Sequence, residues 1–165
     1  MSFLTDFDIR FSEEKDLSSL KKWFSYKGAC DDFPFGVDEM DMSLKNWIGF
    51  SKFRASLTGM LGNEVCAIGT LFLMPYRKGA QQCSFFLIGD PEHRRKGIGT
   101  SMVRNLMHLA KTRFRLESLY AEFYDPCALF SILQKLDIEV FARQENFVRI
   151  NGSGRARSLL EHFFP

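Results

Sequence analysis

The sequence predicts a mixed α/β fold: one central sheet of about seven strands with four helices, in the order β-α-α-β-β-β-α-β-α-β-β. Three observations carry this reading. Segments with apolar residues at period two or in short runs alternate with segments at helical spacing. Gly-, Pro- and Asn-containing breaks separate them, and no internal repeat or low-complexity linker interrupts the series. The chain of 165 residues, 45% hydrophobic and 25% charged, fits a single domain over residues 1–165; a chain of that size buries roughly 70% of its unfolded surface.

Phe7, Ile9 and Phe11 alternate with Asp8 and Arg10, as in a half-buried first strand. Ser12 to Leu17 then opens a helix with acids near its start, where the helix dipole favours them, and Leu17, Leu20, Trp23 and Phe24 form its apolar stripe. After a break over 28–34, residues 36 to about 53 read as a second helix carrying Met40, Met42, Leu44, Trp47, Ile48 and Phe50. Residues 56–61 and 64–74 read as strands around a two-residue turn at Gly62-Asn63, and 82–88 as a further strand. Met102, Val103, Leu106, Met107, Ala110 and Phe114 mark the strongest helix, from Gly99 to about Phe114. A strand over 119–124, a helix carrying Leu129, Phe130, Ile132, Leu133 and Leu136, and strands over 139–150 and 155–163 complete the order. Asn151-Gly-Ser-Gly154 turns between the last two strands.

Composition excludes several function classes. With 22 Lys+Arg against 20 Asp+Glu the net charge is +2, so no global field directs the chain to nucleic acid or an anionic membrane. Any basic site is local. The four cysteines (Cys30, Cys66, Cys83, Cys127) and three histidines lack metal-ligand or redox spacing, so no metal is expected and the thiols read as free, in a reducing compartment. The N-terminal segment lacks the pattern of a secretory signal and no apolar run reaches the ~18 residues of a membrane span, so a cytoplasmic location is expected. Eighteen Phe are a large aromatic complement for a core or a partner surface, such as a homodimer face.

The chemistry concentrates in Gly89-Asp-Pro-Glu-His-Arg-Arg-Lys-Gly-Ile-Gly-Thr-Ser101, between a strand and the strongest helix. Gly97 and Gly99 let backbone approach a ligand, the amides from Arg95 through Ile98 to Thr100 open a helix N-terminus, and Arg94, Arg95 and Lys96 add three cations. That combination suits a pyrophosphate. Lys96 precedes Gly97, which does not match a Walker loop, and Met102 stands where a dinucleotide fingerprint needs its third glycine. The plain alternative is a basic loop that closes a strand-to-helix turn and binds nothing.

Arg94-x-x-Gly97-x-Gly99 resembles the Gln/Arg-x-x-Gly-x-Gly/Ala motif of the GNAT superfamily of acyl-CoA-dependent N-acetyltransferases, and the flanking Asp90 to His93 and Thr100 are also typical of it. The resemblance extends along nearly the whole chain through the element order. It implies an acetyltransferase that moves an acetyl group from acetyl-CoA to a primary amine in a ternary complex. It further implies that backbone near Phe86, Leu87, Ile88 and Gly89 pairs with the pantetheine arm, and that the loop amides hold the CoA pyrophosphate. The sheet would splay beside this strand to admit the thioester, and the Phe-rich segment 33–53 would wall the acceptor.

The family reaction needs a proton acceptor for the amine and a donor for the departing thiolate. Glu122 shares a strand face with Tyr120 and Tyr124, and it matches the glutamate of the Leu-Glu-Val stretch in the ribosomal-protein acetyltransferase branch. It reads either as the base or as a carboxylate paired across the sheet with an arginine such as Arg143. Leu133 stands where the family usually has the tyrosine that protonates the thiolate. Tyr124 is a substitute donor, or else a buried, hydrogen-bonded core tyrosine. Cys127 is expected to line the CoA channel, not to act as a nucleophile. Arg155 and Arg157 read as a solvated strand face. The missing tyrosine keeps a second class open, a non-catalytic CoA-binding or regulatory module on the same fold.

Overall fold

The computed structural model describes residues 6–94 and 96–165. Its strands are β1 (Phe7–Phe11), β2 (Ser56–Leu61), β3 (Glu64–Leu73), β4 (Gln82–Gly89), β5 (Ser118–Tyr124), β6 (Glu139–Ile150) and β7 (Ser153–Phe163). The helices are α1 (Leu17–Phe24), α2 (Met40–Gly49), α3 (Ile98–Thr112) and α4 (Leu129–Lys135). The seven strands form one sheet in the order β1-β2-β3-β4-β5-β7-β6. All neighbours are antiparallel except β4 and β5, because α3 carries the chain back between them as a crossover. Order and element types match the sequence reading; several ends shift by one or two residues, and two of the differences have a clear physical reason. The expected helix over 36–53 is a regular helix only over Met40–Gly49, flanked by single 3-10 turns. Its apolar residues are too crowded for one face, so Met42 stands 80% exposed. The last turn is only Asn151-Gly152, with φ of +52° and +82°, as an Asn-Gly two-residue hairpin requires, so β7 begins at Ser153.

The sheet has a core on each face. On one, Met102, Val103, Leu106 and Ala110 of α3 and Leu133 of α4 bury against Leu71, Phe85, Leu119, Ala121 and Phe123. On the other, Leu20, Trp23 and Phe24 of α1 and Leu44, Trp47 and Ile48 of α2 cover Ile68, Phe72, Phe86 and Ile88. This second face takes up much of the phenylalanine excess. Phe24, Phe33, Phe35, Trp47, Phe72 and Phe86 form one continuous set of edge and tilted contacts at 5.0–6.1 Å between centroids. Each fully buried large side chain contributes on the order of 1.5–3 kcal/mol by leaving water.

The N-terminal end is fastened by a buried polar network that composition does not announce. Asp16, 2% exposed, accepts both Arg10 guanidinium nitrogens at 2.8 Å, the Glu13 amide at 2.8 Å and the Thr58 hydroxyl at 2.9 Å. Hydroxyls of Ser12, Ser56 and Thr70 continue the network across β2 and β3. Among the described residues no helix is long and apolar enough to cross a membrane, and no group of three or more His, Cys, Asp or Glu is gathered to hold a metal ion.

Candidate active site

The β4-to-α3 connection begins with Asp90, whose amide bonds the Cys66 carbonyl of β3 and whose side chain accepts the Glu92 amide. A single 3-10 turn over Pro91–His93 follows, and the chain then enters α3 through Gly97 at φ +79°. Nothing lies within 4 Å of where a Gly97 side chain would start, and only glycine takes this left-handed backbone without cost. No side chain caps α3, so the amides of Ile98, Gly99 and Thr100 have no intrahelical partner while the helix dipole makes their end positive. Arg94 and Lys96 are exposed on the same turn; the expectation for Arg95 lies outside the described residues. A Cβ at Gly99 would come 2.8 Å from Cδ1 of Ile132, so its bare hydrogen also lets α4 approach α3.

Pairing of β4 with β5 covers only Gln82–Ser84 against Ser118–Tyr120. Beyond it, β4 keeps β3 on its far side as far as Gly89, and β5 keeps β7 as far as Tyr124. The facing edges of 85–89 and 121–124 are thus unpaired with each other. The slot ends beside the start of α3. Leu87 packs into the α3 core and Ile88 into the aromatic one, while Gly89 meets Ala67 of β3. Unused backbone donors and acceptors on such an edge suit an extended amide-bearing arm.

Glu122 and Tyr124 occupy the face opposite the α3 core. The Tyr124 hydroxyl donates to Glu122 Oε1 at 2.8 Å, and Arg157 of β7 donates to Glu122 Oε2 at 3.3 Å. The alternative reading, Glu122 paired across the sheet with an arginine such as Arg143, is met in kind: the pairing is present, and the arginine is Arg157. Arg143 instead binds Asp125 and Glu145. The cross-strand register, which places Tyr124 opposite Arg157, decides this. Burial, then the hydrogen bond and charge of Glu122, push the Tyr124 phenol well above its ordinary value. Tyr124 therefore donates a hydrogen bond more readily than it gives up its proton. Cys127 is half-buried against the α3 core, and burial followed by the nearby Asp32 charge pushes its thiol up, which favours the unreactive form. Leu133 is fully buried and supplies no hydroxyl.

Neither Arg155 nor Arg157 is on a solvated face. Arg157 also lies 3.9 Å over the Phe147 ring and is 21% exposed. Arg155 donates to the carbonyls of Tyr124, Asp125, Pro126 and Asp31 and to the Asp32 carboxylate, tying β7, the end of β5 and the loop before α2 together. Their i, i+2 spacing was visible in the sequence, but not which partners the sheet order would bring to them.

On the same face as Glu122, a cleft of about 600 Å³ opens between α2 and the sheet, lined by residues that include Asp38, Glu39, Trp47, Ser84 and Phe86. Ser84 is opposite Tyr120, where the slot between β4 and β5 begins.

Residues 20–130 match the family described as acetyltransferase (GNAT) family. The chain belongs to the GNAT family of acetyltransferases. The fold of this acetyltransferase is shared by yncA from Salmonella typhimurium, solved with its cofactor acetyl-CoA (16% identity, 96% of this chain and 94% of that one, TM-score 0.80). It is also shared by an N-acetyltransferase from Staphylococcus aureus Mu50 (14% identity, 96% and 99% covered, TM-score 0.78). A ribosomal-protein-alanine N-acetyltransferase from Brucella melitensis has it too (14% identity, 95% and 99% covered, TM-score 0.77). No curated protein matches the chain by sequence.

Proposed function

We propose that this GNAT chain transfers the acetyl group of acetyl-CoA to a primary amine by direct attack in a ternary complex. The single observation that carries the reading is the slot between β4 and β5 ending beside the uncapped start of α3. The residues fit the donor. The stretch Leu87, Ile88 and Gly89 runs along the unpaired edge of the slot, and the amides of Ile98, Gly99 and Thr100, with Arg94 and Lys96, present positive potential to a pyrophosphate. Cys127 stands near the start of α4, on the α3 side of the sheet.

In the reaction the amine nitrogen attacks the thioester carbonyl, a C–N bond forms, and the C–S bond breaks. The amine proton passes to Glu122, directly or through one water, and the departing thiolate takes its proton from solvent because α4 presents Leu133 in place of a tyrosine. Tyr124 and Arg157 hold the Glu122 carboxylate in position. A non-catalytic CoA-binding module is favoured only by Leu133, and release of free thiol in the presence of any amine excludes it.

Calorimetry tests the binding step. Acetyl-CoA binds saturably to the wild-type chain, and Gly97→Asp weakens it by about 30-fold, because the carboxylate enters the open space at the helix start. Asp is among the residues that best tolerate the left-handed backbone, so the fold survives. Unchanged affinity in Gly97→Asp, or no binding by the wild type, overturns the placement of the donor.

A further inference from the structure

The cleft beside α2 carries information about the acceptor that the family does not supply. Its floor and wall are aromatic: Phe35, Trp47, Phe72 and Phe86. Its charged lining residues are Asp38 and Glu39, both exposed on the turn before α2, and no Lys, Arg or His lines it. Asp38 has no ion-pair or hydrogen-bond partner among the described residues, and Glu39 is bound only to the Gly36 amide. The nearby Lys45 is committed to Asp41. Trp47 behind this wall is fully buried, and its indole N–H has no partner.

The amine that attacks a thioester must be neutral, so carboxylates at the lip cannot serve by holding that nitrogen as an ammonium ion. They suit a second cation on the same molecule. We infer that the acceptor is a diamine, or an amine with a second cationic group, joined by an apolar segment. One charge rests at Asp38 and Glu39, the apolar segment crosses the partly buried Phe72 and Phe86 rings, and the other nitrogen reaches Ser84 at the mouth of the slot. Rings along the path add cation–π attraction. A volume of about 600 Å³ is of small-molecule size. A ligand bearing a carboxylate or phosphinate meets like charge there.

This inference rests on the acetyl-transfer reading, and the test separates the two. Thiol release from acetyl-CoA is followed with α,ω-diaminoalkanes, monoamines of matched length and ω-amino acids. The expected result is a kcat/KM about fivefold to tenfold higher for diamines than for matched monoamines, as two exposed carboxylates allow, with ω-amino acids lowest. In the Asp38→Asn/Glu39→Gln double variant the ratio falls toward one. Gln at 39 can still accept the Gly36 amide, and acetyl-CoA calorimetry reports whether the variant is folded. Should it fail to fold, wild-type ionic strength replaces it: the preference shrinks between ~0.05 and ~0.5 M salt. Equal kcat/KM for diamines and monoamines, or a preference indifferent to both variant and salt, overturns the acceptor class and leaves acetyl transfer standing. Absence of acetyl-CoA binding overturns the reading beneath both.

Discussion

Glu122→Gln lowers kcat for acetyl transfer by about 100-fold and leaves the acetyl-CoA Kd unchanged within about twofold, the signature of a lost proton acceptor. Gln keeps the shape and its one carbonyl oxygen can still accept from Arg157 while its amide group stays beside the Tyr124 hydroxyl, so the size of the side chain is preserved while the basic oxygen is lost. Tyr124→Phe separates the roles of the pair. It removes the 2.8 Å hydrogen bond but keeps the ring that stacks 6.3 Å from Phe147. A phenol held well above its ordinary range is a weak proton donor, so Tyr124→Phe reduces kcat by less than about tenfold. Rapid-mixing measurement of thiol release gives both values. If Glu122→Gln turns over at the wild-type rate, the proton leaves by another route and Glu122 is an ion-pair residue of the sheet.

The largest stability effect is expected at Asp16. Asp16→Ala removes four hydrogen bonds at once and leaves the partly buried Arg10 guanidinium without its counter-charge, at a cost of about 3 kcal/mol in urea unfolding. Burial by itself would raise the Asp16 carboxyl, but the Arg10 hydrogen bonds, the Glu13 amide, the Thr58 hydroxyl and the Arg10 charge outweigh it and hold the group below the ordinary value. A carboxyl lowered in the folded state releases its proton more easily there than in the unfolded chain. Its stabilisation is therefore fully present above the unfolded value of about 3.9, and it is lost as pH falls through the lower folded value. Wild type loses stability across that acid window, and Asp16→Ala loses less. Parallel pH dependence in the two proteins would place the acid sensitivity elsewhere.

Much of the fold is legible because period and punctuation are local. Phe7, Ile9 and Phe11 announce a strand, and Met102, Val103, Leu106 and Ala110 announce a buried helix face, whatever surrounds them. The segment 36–53 was less legible because its apolar residues serve both a core and the edge of a cleft. Gly99 has a packing role that its motif does not announce: its missing side chain leaves room for Ile132 of α4, a helix far along the chain.

By itself the chain sequence determined the element order, the glycine-opened helix start and the face of β5 that carries Glu122, since all of these depend on neighbours within a few residues. Only the tertiary structure decided that Arg157 and not Arg143 meets Glu122, that Arg155 ties the loop before α2 to β5, and that Asp38 and Glu39 share a cleft with Ser84. Those pairings are set by strand register and crossover, which join residues far apart in sequence and leave no periodic trace along it.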